Sequence, residues 1–202
     1  MSHALQCRCG KLRGHVEPPA MTNPAVCYCK DCQAAAHVLG HADTVLDAHG
    51  GTRIIAILPE RVHLTQGIDA LACMSLSDNG LLRWHASCCN TPIANTPRSR
   101  NMPYVGVIHA CLATQSPSIE ASFGPTRTTL NVKSAQGTVD ATPLRATLAV
   151  MQIGTAMLGA RLSRAANRNP FFDADSGEPI RPPRVLTQAE RARATPGGRA
   201  NG

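Results

Sequence analysis

The sequence predicts a mainly β domain clasped by zinc, followed by a C-terminal α-helix and a flexible basic tail. Three observations predict it. Over roughly the first 130 residues, short apolar or alternating runs are separated by Pro, Gly or Asp-Asn-Gly; from Pro143 onward, apolar residues recur at helical spacing; and seven of the nine cysteines fall in three tight clusters.

The runs "LRGHVE", "TRIIAIL", "RVHLTQ", "LACMSLS", "LLRWHAS" and "YVGVIHACL" are each under ten residues, with β-branched or alternating apolar content, and each reads as a strand. Between the fourth and fifth, "SDNGLL" predicts a tight hairpin, because Asn79-Gly80 supply the positive φ angles of a two-residue turn. These strands form a predicted zinc-binding domain over residues 3–135. Beyond it, Leu144, Leu148, Met151, Leu158 and Leu162 predict a helix within 142–169, with Thr142 as N-cap and Pro143 at the first helical position. Asn169-Pro170 favours its end. Gly154 and Gly159 each cost about 1 kcal/mol relative to Ala, so the helix is expected to pack closely on the domain or on a partner subunit. The two Phe of "NPFFD" are expected to anchor the chain to the domain. Residues 186–202, "LTQAERARATPGGRANG", look too polar and too rich in Gly and Pro to order themselves.

Composition narrows the class. The net charge is +7, of which residues 160–202 hold +4 with eight Arg and four acids. That pattern suits a solvated tail, and with aromatics at only 3% there are few platforms for base stacking, so nucleic acid is not an expected partner. The N-terminal "MSHALQCRCGK" lacks the apolar run of a secretory signal, and the uncharged run from Ala146 to Ala160 is too short to span a bilayer. A soluble, cytoplasmic protein is expected. An odd number of clustered cysteines there points to reduced thiols holding metal rather than to disulfides.

The clusters differ in what they offer. In "CRCG", Cys7 and Cys9 lie two apart, share one face of a strand and supply half of a closed tetrahedral site. Cys88 and Cys89 of "SCCN" are the best candidates for the other half, which makes zinc a clasp between the first strand and a later one. In "CYCKDCQ", Cys27, Cys29 and Cys32 are three ligands from one short segment. Either a small-molecule thiol completes that set, as at an exchangeable or catalytic zinc, or His37, His41, Cys88 or a more distant histidine closes it as a structural site. Cys73 and Cys111 stand alone in apolar strands and read as core residues.

The order "CRCGKLRG", "CYCKDCQ", "GLLRWHASCCNTPI" resembles the family of glutathione-dependent formaldehyde-activating enzymes and centromere protein V (GFA domain) over about residues 3–112. The resemblance implies a fold of small coiled β-sheets and two zinc ions. It gives Cys7 and Cys9 to a structural zinc and Cys27, Cys29 and Cys32 to the zinc that binds substrate thiol, hence as catalytic ligands. The third segment departs from the family pattern: its first cysteine falls on Ala86, and Cys88 precedes Cys89 directly, so Cys88 reaches the same ion only if the chain kinks there. The implied function is a carbon–sulfur lyase or synthase, similar to S-hydroxymethylglutathione synthase, that joins glutathione to formaldehyde or a related small aldehyde. The alternative is a non-catalytic zinc-stabilised binding module whose basic C-terminal segment contacts a partner; the helix is the candidate surface for a homo-oligomer. Arg8, Lys11, Lys30, Arg53 and Arg83 are the cations placed to meet the carboxylates of a peptide thiol, none of them assigned.

Overall fold

The computed structural model describes residues 2–18, 23–114, 117–163 and 168–196. In chain order, β1 (His3–Gln6), β2 (Arg13–Val16) and β3 (Asn23–Cys27) lead into helices α1 (Lys30–Val38) and α2 (Ala42–Val45). Six strands follow: β4 (Thr52–Ile57), β5 (Val62–Gln66), β6 (Leu71–Ser75), β7 (Leu82–Ala86), β8 (Pro92–Thr96) and β9 (Val105–Ile108). Then come α3 (Ile119–Phe123), β10 (Thr128–Leu130), α4 (Pro143–Leu162), β11 (Arg184–Val185) and α5 (Gln188–Ala194). The protein is mainly β, and each of the six strands read from the sequence is present.

The strands gather into two sheets rather than several small ones. One has the order β1-β2-β5 and the other β10-β3-β4-β9-β8-β7-β6-β11. The larger sheet is antiparallel except at its two edges, where β10 runs parallel to β3 and β11 parallel to β6. Alternation decides which side chains enter the core: in β1, His3 and Leu5 are buried while Ala4 and Gln6 face out. β8 instead buries all five residues of "PIANT", as expected of a strand covered on both faces. The core between the layers holds Leu5, Leu12, Ile55, Ile57, Trp84, Val105 and Phe123. Phe171 and Phe172 join it, with ring centroids 5.0 and 6.4 Å from that of Trp84, so "NPFFD" does anchor the chain.

Three local expectations are corrected. The β6–β7 hairpin exists, but neither Asn79 nor Gly80 has positive φ. Its loop is longer than two residues, because the pairing stops at Met74 and Arg83. The Ser75 hydroxyl donates to the carbonyls of Ser77 and Leu81, and Arg98 donates to the carbonyls of Ser77 and Gly80; these bonds set the loop in place of the tight turn.

Second, α4 starts at Pro143 as read from the sequence and ends at Leu162, while residues 164–167 of the expected helix lie outside the described residues. Thr142 sits at the N-cap without capping; its hydroxyl instead accepts from the backbone N–H of Thr129 on β10. The apolar residues expected to pack stay in solvent within this chain. Leu144, Leu148, Met151, Leu158 and Leu162 are 56–80% exposed, and nothing lies within 4 Å of a Cβ placed on Gly154 or Gly159. No helix among the described residues is long and apolar enough to cross a membrane.

Third, the start of the expected flexible tail is folded. Leu186 is 6% exposed and packs on Ala34 and Leu76. Its N–H donates to the Ser75 carbonyl at 2.9 Å, extending the β6–β11 pairing. Thr187 and Glu190 form a capping box that starts α5, and Arg191 pairs with Asp31 of α1 at 3.1 Å. One buried Leu and a cap are enough to order a polar segment once a receiving surface exists. Residues 197–202 of the tail lie outside the described residues.

Two stability measurements follow. Leu186→Ala should lower unfolding free energy by about 2–3 kcal/mol, read from denaturant midpoints; no change would show that the C-terminal segment adds nothing to the fold. Cys73 and Cys111 are 4% and 1% exposed within the core. Alanine at either position should cost about 1–3 kcal/mol and leave metal content unchanged, whereas loss of one metal equivalent would make that cysteine a ligand.

Candidate metal centres

The end of β1 and the turn between β7 and β8 bring four thiols together. The Sγ atoms of Cys7, Cys9, Cys88 and Cys89 all lie within 4.8 Å of one another. The closest pairs are 3.3 Å for Cys9–Cys88, 3.5 Å for Cys7–Cys9 and 3.8 Å for Cys7–Cys88 and Cys88–Cys89. With Zn–S bonds of about 2.3 Å, the edge of a tetrahedron of sulfurs is about 3.8 Å, so the donor set fits a closed four-thiolate site.

Backbone turns make this convergence possible. After Cys9 the chain turns through Gly10 at φ 75°, with the Gly10 N–H donating to the Cys7 carbonyl and the Leu12 N–H to Cys7 Sγ. After Cys89 it turns through Asn90 at φ 55°. This is the kink that Cys88 requires: Ser87–Cys89 form a turn instead of continuing β7, and both neighbouring thiols reach one centre. Burial alone would raise the Cys89 thiol, but hydrogen bonds from Thr91 and from the Cys9 backbone bring it down to about 6. Cys88 is pushed up to about 12 by desolvation and then by hydrogen bonds with Cys9 and Cys7. The packed sulfurs hold one another's protons, and all four are released together only against a cation.

The second cluster is built on the entry to α1. Cys27 closes β3, Cys29 is the N-cap of α1, and Cys32 lies in its first turn, with the Cys32 N–H turned toward Cys29 Sγ at 3.4 Å. The three Sγ atoms lie within 4.8 Å of one another. Cys27 and Cys32 are buried and Cys29 is half-buried. A helix N-terminus favours thiolate there. Hydrogen bonds from the Cys27 and Cys29 thiols, followed by the charge of Arg83, hold Cys32 well below the usual thiol range. Arg83 is 5% exposed and places Nη1 3.5 Å from Cys32 Sγ. It is therefore spent on thiolate charge instead of awaiting a substrate carboxylate.

Among the described residues, no fourth Cys, His, Asp or Glu joins Cys27, Cys29 and Cys32. His37 is exposed, the His41 ring bonds the Cys89 carbonyl through Nε2 at 2.8 Å, and Cys88 belongs to the other cluster. Lys11 pairs with Asp69 at 3.1 Å, and Arg8, Lys30 and Arg53 are exposed.

Three further residues support the second cluster, and sequence reasoning gave them no role. Asn131, held at φ 56°, donates from Nδ2 to Cys27 Sγ at 3.3 Å. Gln33 donates to the carbonyls of Tyr28 and Ser134, tying the cysteine segment to the loop after β10. Burial, and then negative charge at Cys27 and Cys32, push the Tyr104 hydroxyl up to about 12. Gln33 lay inside the quoted motif; the other two are distant in sequence and gave no local signal.

The family of unknown function DUF6151 matches residues 1–170, and the chain belongs to it. No curated protein matches the chain. A crystal structure of a Rhodobacter sphaeroides protein, a structural genomics target, is similar at 16% identity with a TM-score of 0.41. The similarity covers 61% of this chain and 96% of that one.

The two clusters should respond differently to substitution. A zinc held by Cys7, Cys9, Cys88 and Cys89 contributes on the order of 10 kcal/mol of apparent binding free energy to folding, so Cys7→Ser should be insoluble or unfolded. Cys29→Ser should stay soluble and lose one of about two zinc ions, read by metal analysis with circular dichroism. Collapse of both variants to the same extent would make both centres structural.

Proposed function

We propose that this member of a family of unknown function is a two-zinc protein that joins a small-molecule thiol, such as glutathione, to formaldehyde or a related small aldehyde. The observation that carries the reading is the three-thiol set with no fourth protein ligand among the described residues. The resemblance of "CRCG", "CYCKDCQ" and "LLRWHASCC" to the glutathione-dependent formaldehyde-activating family supports it. So do nine free thiols, which fit a reducing, cytoplasmic setting.

In this reading Cys27, Cys29 and Cys32 hold the exchangeable zinc, and Cys7, Cys9, Cys88 and Cys89 the structural one. When bound, zinc at the three thiols supplies a Lewis acid that keeps an incoming thiol deprotonated near neutral pH. Cys29, the most accessible of the three, marks the approach. Arg83 offsets the negative charge at Cys32, Asn131 does the same for Cys27 by hydrogen bonding, and Gln33 keeps the segment from moving. The incoming sulfur adds to the aldehyde carbon, the S–H proton leaves and the carbonyl oxygen takes up a proton. The product is a hemithioacetal, and nothing is oxidised or reduced.

One observation favours the alternative, a non-catalytic zinc-stabilised module. The partly open cavity beside Cys32, lined also by Arg83, Asn95 and Thr52, has a volume of about 20 Å³, room for one water and not for a whole peptide thiol. The basic segment of such a module is partly spent within the chain, since Arg184 pairs with Glu190 and Arg191 with Asp31.

The test is adduct formation between glutathione and formaldehyde, followed by proton NMR with zinc-loaded protein. The expected result is binding of glutathione and a rate above the spontaneous one, both lost in a folded Cys29→Ser variant. Folded Cys29→Ser that lacks one zinc yet works at the wild-type level would favour the module.

A further inference from the structure

The three-stranded sheet carries a cluster that neither thiol centre uses. His15 on β2 faces His63 on β5 as a cross-strand pair, and their rings stack with centroids 4.6 Å apart and planes 18° apart. Glu17 lies two residues beyond His15, on the same face of the chain. One nitrogen of each ring and one oxygen of Glu17 all fall within 4.8 Å of one another. The group opens on a groove of about 800 Å³ that Glu60, Arg61 and Arg168 also line.

Two details point to a ligand here. His63 Nε2 is shut off from solvent and makes no hydrogen bond, an orphaned state that costs free energy unless something occupies it. Glu17 Oε1 is 3.4 Å away. A charge-assisted hydrogen bond would close to about 2.7–2.9 Å. Two ligands on one tetrahedral ion with bonds of about 2.0–2.1 Å stand about 3.4 Å apart, which matches the separation found. The charges around the group balance: Arg61 Nη1 lies 3.8 Å from Glu17 Oε2, and Arg168 is paired with Glu60 at 2.9 Å.

We infer that His15, Glu17 and His63 form a third cation site, free of thiolate, that takes a first-row divalent ion such as Zn²⁺ and leaves at least one coordination position facing the groove. Two imidazoles and one carboxylate make a harder donor set than either cysteine cluster, so the site selects against thiophilic Cu(I) and binds more weakly and reversibly than four thiolates. The open position would accept water or a small anionic ligand from the groove.

The test is equilibrium dialysis against Zn²⁺ with metal analysis, using the full chain after a weak chelator has left only the thiol-held metal. Wild-type protein is expected to take up one further equivalent. His63→Ala and His15→Ala should each weaken that uptake well beyond the roughly 10–100-fold that loss of a supporting contact costs, while keeping the thiol-held zinc. Equal uptake by wild type and both variants, or no further uptake by wild type, would overturn the site and leave His63 and Glu17 as an ion pair. If the variants fail to fold, Co²⁺ added to the wild-type protein that holds only its thiol-bound zinc decides. Visible ligand-field bands without a thiolate-to-cobalt charge-transfer band support the site, and their absence overturns it. Because the cysteines stay loaded throughout, failure here is distinguishable from failure of the two-zinc reading.

Discussion

Sulfur–sulfur separations of 3.3–3.8 Å among Cys7, Cys9, Cys88 and Cys89 impose the constraint on which the rest of the molecule depends. Sulfurs this close cannot all ionise without a cation between them, and as thiols they share protons through S–H···S hydrogen bonds. The chain accepts two left-handed turns, at Gly10 and Asn90, to reach this geometry. It thereby ties the small sheet, through β1, to the β7–β8 corner of the large one. The small sheet also buries Leu5, Val16 and Val62 in the shared core, so this link adds to apolar packing that already holds the sheet in place.

The second sulfur group sits where the large sheet passes into α1, and its surroundings differ in kind. The four-thiol set is partly exposed and made from two turns; the three-thiol set is mostly buried, and its neighbours are donors. Arg83 turns a guanidinium and Asn131 a neutral amide N–H toward a sulfur, and burial together with negative charge at Cys27 and Cys32 raises the Tyr104 hydroxyl. A buried arginine without a carboxylate partner is costly, and its Nε makes no hydrogen bond. The thiolate at Cys32 is what makes that placement tolerable. Charge is thus stored at this end of the molecule in a form that a fourth ligand would perturb.

Much of this was legible in the sequence because the local signals were strong. Apolar and alternating runs marked six of the strands between Arg13 and Ile108, though not β3 or β8, and spacing sorted the cysteines into a pair, a triplet and a distant pair. What escaped was non-local or misjudged. The Asn79-Gly80 dipeptide carries the chemistry of a tight turn, but Ser75 and Arg98 hold a wider loop. In "LTQAE" the capping pair Thr187 and Glu190 was visible, yet overall polarity hid the one buried residue, Leu186, whose pocket is made by Ala34 and Leu76. The apolar spacing of α4 does form a helix, while its Leu144, Leu148, Met151, Leu158 and Leu162 are left exposed among the described residues. No local pattern could place Asn131 beside Cys27, 104 residues away.

The most direct measurement of the central claim is zinc K-edge X-ray absorption on chelator-washed protein holding two zinc ions, with and without glutathione. One closed four-thiolate centre and one three-thiolate centre completed by water give an average of about 3.5 sulfurs per zinc, rising to about 4 when glutathione enters. An average of 4 before glutathione is added, or an average unmoved by it, would contradict an open thiol-binding position at Cys27, Cys29 and Cys32.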